Sequence, residues 1–173
     1  FLPDDYEVPT KNINYLRFED GENRFRVLDT PVLGWIWWET EADGSRKPMR
    51  IPMDQKVPVA VDKDEVKHFW AMPVWNFKEE KVQVLEVTQK GIQKSIKTLS
   101  DDSDWGNPVN YDLVVIKTGQ KLDTEYQVSP KPAKKLDPGI SQLYIDMHVD
   151  LTALYRGEDP FKPADTDGGD KKV

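Results

Sequence analysis

The stretch KHFWAMPVWNFKEEKVQVLEVT, residues 67–88, determines the class of fold that this chain adopts. Its first part, Lys67–Phe77, is rich in aromatic and β-branched residues, which is typical of a β-strand. The charged residues Lys78–Glu80 predict a turn, and the Val-rich segment Lys81–Thr88 predicts a second strand. Pro73 has no backbone N–H, so it predicts a bulge or an edge within the first strand. This stretch therefore predicts a long antiparallel hairpin.

The segments on either side of the hairpin predict further strands and one helix. In Gln89–Leu99 the residues Ile92, Ile96 and Leu99 recur at helical spacing, which predicts a helix. Other segments are rich in strand-forming residues and are separated by turn-forming residues or by polar loops such as Glu41–Pro48. The predicted strands are Tyr15–Phe18, Asn23–Leu28, Val32–Glu39, Met49–Met53, Tyr111–Thr118 and Thr124–Ser129. The first two of these should form a hairpin of their own.

About seven short strands, with one helix before the last two, predict an all-β protein. The expected architecture is a five-stranded Greek-key barrel of the oligonucleotide/oligosaccharide-binding (OB) type with extensions, and a β-sandwich is the alternative. We expect four regions along the chain: an extended N-terminal arm over 1–13, the barrel over 14–130, a linker and C-terminal extension packing on the barrel over 131–157, and a disordered acidic tail over 158–173.

The C-terminal extension fits two periodicities. Its apolar residues alternate strictly from Leu143 to Leu151, as in a strand, but Ile140, Tyr144 and Met147 also fit one face of a helix. We favour an extended segment followed by a short helix that Asp150 caps.

Composition excludes several classes of function. The 173 residues contain no cysteine, which excludes disulfides, thiolate metal sites and cysteine nucleophiles, and the two histidines argue against a histidine-rich metal site. No apolar run approaches the roughly 20 residues of a membrane span. We therefore expect a cytoplasmic protein without a metal or another cofactor. The carboxylates have the spacing of turn and surface residues, so no enzymatic activity is expected.

The net charge of −7 is unevenly distributed along the chain. Residues 1–23 carry two basic and six acidic side chains, and residues 101–173 carry nine basic and fourteen acidic ones. Residues 24–100, in contrast, carry thirteen basic and eleven acidic side chains. The basic middle removes the objection that an acidic protein would repel nucleic acid.

Aromatic and basic residues share the strands of this basic middle. Alternation places Trp35 and Trp37 on one face and Ile36 and Trp38 on the other, so one pair should fill the core and the other should lie at the surface. Single strands are bound by rings that stack on bases and by cations that contact phosphates. We predict such binding through twelve residues: Arg24, Arg26, Trp35, Trp37, Arg46, Lys47, Arg50, Lys67, Phe69, Trp70, Trp75 and Phe77. Lys90, Lys94 and Lys97 form a basic stripe on the predicted helix, which is typical of an ordinary solvated face.

The order of these motifs resembles the T4-type phage single-stranded-DNA-binding proteins over residues 14–130. Gly21–Leu28 is similar to that family's glycine-led hairpin and Arg-Phe strand, and Phe69–Met72 is similar to its Tyr-Trp-Ala-Asn strand. The resemblance implies an OB barrel that coats single-stranded DNA with little sequence preference during phage replication, recombination and repair. It also matches Arg26, and the strand that contains Lys67, Phe69 and Trp70, to the binding cleft of that family.

The chain departs from that family in two places. The segment Glu39–Lys67 has no cysteine for the family's zinc subdomain, so no zinc is expected, and the acidic Phe1–Thr10 does not match its basic N-terminal arm. The acidic residues after Gly157 resemble that family's tails, which implies that they compete with DNA or recruit replication proteins. If a phage encodes the chain, it should act in the host cytoplasm.

Two alternative functions fit the same residues. Exposed tryptophans also stack on sugar rings, so a carbohydrate-binding β-module is one alternative, and a structural or assembly protein of a phage is the other. Salt discriminates DNA binding from carbohydrate binding, because binding that depends on phosphate contacts weakens steeply as salt rises, whereas stacking on sugars barely responds. A structural or assembly protein should bind neither ligand.

Overall fold

The computed structural model describes Phe1 and residues 14–161 of the chain. The predicted N-terminal arm, apart from Phe1, and the predicted tail beyond Phe161 lie outside these residues. Within the described part, no helix is long and apolar enough to cross a bilayer.

Seven antiparallel strands form a single sheet in the described part of the chain. The strands are β1 (Gly21–Val27), β2 (Val32–Thr40), β3 (Arg46–Pro52), β4 (Lys67–Asn76), β5 (Lys81–Val87), β6 (Leu113–Thr118) and β7 (Glu125–Pro130). The helix α1 (Lys90–Asp101) precedes the last two strands, and α2 (Pro138–Met147) follows them. Short 3₁₀ turns cover Lys63–Glu65, Pro108–Asn110, Lys121–Asp123 and Leu151–Arg156. The predicted all-β, OB-like class is confirmed.

The strand β4 lies at the centre of the sheet because it pairs with three other strands. The strand order is β3-β2-β4-β1-β6-β7, and β5 pairs with the other edge of β4. On the first edge, β2 pairs with β4 as far as Ala71 and β1 pairs with it from Val74. Pro73 lies at this change of partner, where its carbonyl accepts the N–H of Leu28. Since the N and O atoms of a strand residue point to the same edge, the N–H that proline lacks falls at the gap between β2 and β1.

Both faces of the sheet are covered by apolar clusters. On the face that we call the α1 face, Ile92 and Ile96 of α1 pack on a cluster that includes Phe25, Met72, Val74, Leu85, Leu113 and Val115. On the opposite face, which we call the C-terminal face, Leu151 and Leu154 of the last 3₁₀ turn pack on Ile36, Phe69, Ala71 and Val84. Because both faces are packed, alternation along a strand does not by itself distinguish core residues from surface residues.

Two predicted strands differ in the structure. The segment Tyr15–Phe18 forms no strand, and Tyr15 makes only an isolated bridge to Val84. The predicted first hairpin is therefore wrong, since Leu16 and Phe18 pack into the core on the α1 face instead. The strand β3 begins at Arg46 rather than at Met49, because the predicted loop is shortened by further pairing between β2 and β3.

The extended segment predicted before Asp150 is wrong, because α2 occupies residues 138–147. Asp137 caps this helix through its side chain, which accepts the N–H of Gly139 at 2.8 Å, and Pro138 occupies the first turn. A capping aspartate followed by proline is a strong helix start, and this start outweighs the alternating pattern. The predicted cap at Asp150 is present, since its Oδ1 accepts the N–H of Thr152 at 3.1 Å.

The chain stays attached to the core beyond Gly157. The carbonyl of Pro160 accepts the N–H of Asp150 at 2.9 Å, and Phe161 packs against the cluster on the C-terminal face. The prediction of a disordered tail is therefore wrong for residues 158–161, and the rest of that segment lies outside the described residues.

Candidate nucleic-acid interface

The structure divides the twelve predicted binding residues into four groups. Four are buried or nearly so: Arg26, Trp37, Arg50 and Phe69. Four lie along the β2–β3 hairpin or at the start of the neighbouring strand β4: Trp35, Arg46, Lys47 and Lys67. Three lie at the other end of β4: Arg24, Trp75 and Phe77. The remaining residue, Trp70, is partly buried against the core on the α1 face.

Arg26 holds the fold together and does not face a ligand. Only 2% of its surface is exposed, and its Nε donates to Asp112 Oδ1 at 2.7 Å. Its Nη1 and Nη2 donate to the carbonyls of Val109 and Lys134, at 3.2 and 2.8 Å. Each of its three nitrogen atoms therefore has an acceptor within the protein. The predicted phosphate contact at Arg26 is wrong, because the segment that contains Lys134 covers this face of β1.

Arg50 and Phe69 are likewise used within the protein. Arg50 binds Glu86 through two hydrogen bonds of 2.7 and 3.1 Å, and its guanidinium lies 6.0 Å from the centroid of the Phe69 ring. Phe69 is fully buried beneath Gly34. Neither side chain is positioned to contact DNA, so the DNA contacts predicted for Arg50 and Phe69 are wrong.

Trp37 is also buried, with 3% of its surface exposed, and its Nε1 donates to Glu39 Oε2 at 3.1 Å. The buried pair on β2 is thus Ile36 and Trp37, one residue from each face, whereas Trp38 remains 49% exposed. The expectation that one same-face pair would fill the core is wrong, because the sheet is packed on both sides.

Trp35 and His68 form a fixed aromatic pair. They lie opposite each other in β2 and β4, with ring centroids 5.2 Å apart and an angle of 57° between the ring planes. His68 Nδ1 donates to the Gly34 carbonyl at 2.9 Å, which requires the proton on Nδ1 because a carbonyl only accepts. Trp35 Nε1 donates to the carbonyl of Met53 at 3.3 Å. Both rings are partly exposed and are held in one orientation.

Three cations lie on the two strands that pair with β2. Lys67 lies beside His68 at the start of β4, and Arg46 and Lys47 lie at the start of β3, opposite the end of β2. All three are exposed, and no carboxylate within residues 14–161 forms an ion pair with them. We name the hairpin surface as the set Trp35, Trp38, Arg46, Lys47, Lys67 and His68. The strand register places Trp35, Lys47 and His68 on one face of the sheet and Trp38, Arg46 and Lys67 on the other.

The helix α1 adds two further cations near the hairpin surface. Gln93 is buried, and its Nε2 donates to the carbonyls of His68 and Val87, at 3.1 and 2.9 Å. This places the first turns of α1 beside His68, with Lys90 and Lys94 exposed one turn apart.

A second cluster, which we name the arginine surface, lies at the other end of β4 and consists of Arg24, Trp75 and Phe77. Arg24 binds Asp112 Oδ2 through its Nε and Nη2, at 2.9 and 2.7 Å, and 46% of its side chain is exposed. Its guanidinium carbon lies 5.7 Å from the centroid of the Phe77 ring. Because Arg26 also binds Asp112, two cations share one carboxylate, and one positive charge is left over.

Sequence reasoning did not include four residues that the structure places at or near the hairpin surface: Trp38, His68, Lys90 and Lys94. Each could have been identified from the sequence, since Trp38 and His68 belong to aromatic strands and the two lysines lie on the basic stripe. The position of the basic stripe beside the aromatic strand depends on the tertiary packing of α1, which the sequence pattern does not show. In the described part of the chain, no group of three or more His, Asp or Glu side chains is arranged to hold a metal ion.

Comparison with known proteins shows a distant similarity to a phage protein. No protein-family model matches the chain, and no solved structure matches it significantly. The chain is 25% identical over 140 residues to a protein of Escherichia phage T5 described as a probable ssDNA-binding protein. The match covers 67% of this chain and 54% of the phage protein, so the chain spans about half the length of that relative.

Proposed function

We propose that this protein binds single-stranded DNA through the hairpin surface. The observation that carries the proposal is the Trp35–His68 pair, whose rings are partly exposed and fixed by hydrogen bonds to the carbonyls of Met53 and Gly34. A ring that is already fixed loses little conformational entropy when a base stacks on it. Each base stacked on an aromatic side chain contributes about 1–3 kcal/mol.

The cations of the hairpin surface supply the electrostatic part of the binding. Arg46, Lys47 and Lys67 form no ion pairs within residues 14–161, so their charges are free to meet phosphates. Rings stack on any base and cations contact a backbone that carries no sequence information, so the binding has little sequence preference. The protein coats and protects the strand and catalyses no reaction.

The similarity to a phage T5 protein named for binding ssDNA supports the same proposal. Together with the resemblance to the T4-type proteins, this similarity supports our proposal that the protein acts in phage DNA replication, recombination and repair in the host cytoplasm. The residues after Phe161 include Asp165, Asp167 and Asp170, and we propose them as a contact for replication proteins. The predicted tail over 158–173 carries five acidic and three basic side chains, so competition with DNA is the other role that we propose for it.

The test is the anisotropy of a fluorescently labelled oligo-dT titrated with the parent protein, Trp35→Ala and Trp105→Ala. Trp105 is a matched control because it is 37% exposed but packs against Tyr111, 5.4 Å between ring centroids, on the segment after α1. We expect Trp35→Ala to weaken binding by about 1–3 kcal/mol and Trp105→Ala to leave it unchanged.

Two outcomes would overturn the proposal. The first is no binding of oligo-dT by the parent protein at about 50 mM salt. The second is binding that does not weaken between about 50 and 200 mM salt, because phosphate contacts make affinity strongly salt-dependent. Equal losses for Trp35→Ala and Trp105→Ala would remove the hairpin surface as the binding site.

A further inference from the structure

The Trp35–His68 pair and the helix α1 lie on the same face of the sheet. His68 alternates with Trp70 along β4, and Trp70 packs against the cluster on the α1 face. Trp35 is directly opposite His68 and therefore shares this face. Val87, the last residue of β5, pairs with Trp70, and α1 begins at Lys90, three positions later. The helix therefore starts beside the part of β4 that carries the ring pair.

A buried glutamine fixes α1 at this position. Gln93 is 7% exposed, and its Nε2 donates to the backbone carbonyls of His68 and Val87 at 3.1 and 2.9 Å. A movement of the helix away from β4 would leave these carbonyls without their donor, which is costly for buried groups. The separation between α1 and the ring pair is therefore set by the fold.

Two lysines of α1 are exposed next to this attachment. Lys90 lies one turn before Gln93, and Lys94 follows Lys90 by four positions, which is about 6 Å along the helix axis. Neither ammonium group forms an ion pair with a carboxylate within residues 14–161. Both charges are therefore available to an anion.

The distribution of charge along α1 is unfavourable for the helix itself. Lys90 and Lys94 are like charges four positions apart, and such pairs weaken a helix. The one carboxylate of α1, Asp101, lies in the last turn and pairs with Lys97. Two of the three lysines in α1 therefore reduce the stability of the helix, whereas the third has a partner.

The α1 lysines and a cation of the hairpin surface lie on opposite sides of the ring pair. Lys47 shares the face of the rings and lies on β3, four residues from the Ile51 that pairs with Trp35. This separation is about 13 Å at about 3.3 Å per residue. The helix α1 lies on the other side, because β2 and β5 pair with opposite edges of β4. A strand that stacks a base on the rings has cations in both directions.

We propose that α1 forms the second half of the DNA-binding site. The single strand that stacks on the Trp35–His68 pair crosses β4 towards α1 and places two of its phosphates on Lys90 and Lys94. The inference rests on the proposed function, because it gives the path of the same bound strand. It assigns a ligand to a basic stripe that, by its pattern alone, is typical of a solvated helix face.

The test is the salt dependence of oligo-dT binding by Lys90→Ala and Lys94→Ala, measured by anisotropy. Each variant should reduce the slope of log affinity against log salt by about one, and the double variant by about two, because each lysine contacts one phosphate. Lys90→Arg keeps the charge and should keep the parent slope. Lys97→Ala is the matched control on the same stripe, since Lys97 is already paired with Asp101.

Thermal unfolding of the same variants separates DNA binding from a role in the fold. Because Lys90 and Lys94 repel each other, the removal of either should leave the melting temperature at or above that of the parent. A lower melting temperature in both alanine variants would mean that the lysines support the helix, and would count against the proposal.

The proposal is overturned if Lys90→Ala and Lys94→Ala keep the parent slope, or if Lys97→Ala reduces the slope as much as they do. A parent protein that does not bind oligo-dT, or whose binding is unaffected by Trp35→Ala, rejects the proposed function. A parent that binds through Trp35 while both lysine variants keep its slope rejects only the path over α1.

Discussion

Arg26 and Asp112 form a buried ion pair, with 2.7 Å between Nε and Oδ1 and with 2% and 5% of their side chains exposed. The pair joins β1 to the residue that precedes β6, and Arg26 also holds the segment at Lys134. A buried ion pair stabilises a fold no more than well-packed apolar residues of similar volume would. Removing one partner, however, leaves the other charge buried and unpaired, which is strongly destabilising.

We expect Arg26→Ala to lower the free energy of unfolding by about 3–5 kcal/mol. Arg24→Ala is the comparison, because Arg24 binds the same carboxylate with a side chain that is 46% exposed, and its loss should cost about 1 kcal/mol or less. Urea denaturation of both variants measures the difference. Equal losses would show that the shared carboxylate, and not the burial of Arg26, determines the effect.

Gly34→Ala should destabilise the β2–β3 hairpin. A Cβ at this position would lie 2.1 Å from the carbonyl oxygen of Ile51 and 2.8 Å from the Phe69 ring, so the strands would have to separate. Overpacking of this kind costs about 1–3 kcal/mol. Gly91→Ala is the control, since a Cβ there meets nothing within 4 Å and alanine favours the helix by up to about 1 kcal/mol.

Thermal unfolding of the two glycine variants should therefore give shifts of opposite sign. Because His68 bonds to the carbonyl of residue 34, Gly34→Ala should also weaken the binding of oligo-dT. A destabilised Gly34→Ala that binds as tightly as the parent would argue against the Trp35–His68 pair as the stacking site.

Lysines of the hairpin surface should set the salt dependence of DNA binding. Lys47→Ala and Lys67→Ala should each reduce the slope of log affinity against log salt by about one, because each lysine contacts one phosphate. Lys97 of α1 is already paired with Asp101, so Lys97→Ala should leave the slope unchanged. Slopes measured by anisotropy over a series of salt concentrations check this, and identical slopes for all three variants would contradict it.

Acid should weaken the cap that Asp150 forms on the last 3₁₀ turn. The hydroxyl of Thr152, and then the guanidinium of Arg156, lower the pKa of Asp150. A carboxyl with a lowered pKa stabilises the fold above its unfolded-state pKa, and this stabilisation is lost as pH falls through the lowered value. The free energy of unfolding of Asp150→Asn should therefore decrease less with falling pH than that of the parent protein. Equilibrium denaturation at a series of acidic pH values measures this difference. An unchanged pH profile would contradict the role of this cap.

The strands and α1 were predictable because each carries a local pattern. Alternation and turn residues located most strands, and the spacing of Ile92, Ile96 and Leu99 located the helix. The segment that forms α2 satisfied two patterns at once, and its outcome depended on the cap at Asp137 and on Pro138. A local pattern therefore predicts an element well when the segment fits only one periodicity.

The candidate site was less predictable because it depends on partners that are distant in sequence. Arginine commonly contacts phosphate, which is why Arg26 and Arg50 were predicted to bind DNA. Both instead bind carboxylates that lie 86 and 36 positions away in the sequence. Whether an arginine faces solvent or a buried carboxylate is decided by those pairings. The relation to T4-type proteins stays a prediction, whereas the chain is similar to a phage T5 protein.

The position of β4 has a consequence for measurements on the two surfaces. His68 and Phe77 lie nine residues apart along and just after this strand, which corresponds to up to about 30 Å at about 3.3 Å per residue. Substitutions at sites this far apart, without shared partners, contribute independently to a free energy. Any binding losses from Trp35→Ala and Arg24→Ala should therefore sum in the double variant, because the central strand holds the two surfaces at opposite ends of the sheet.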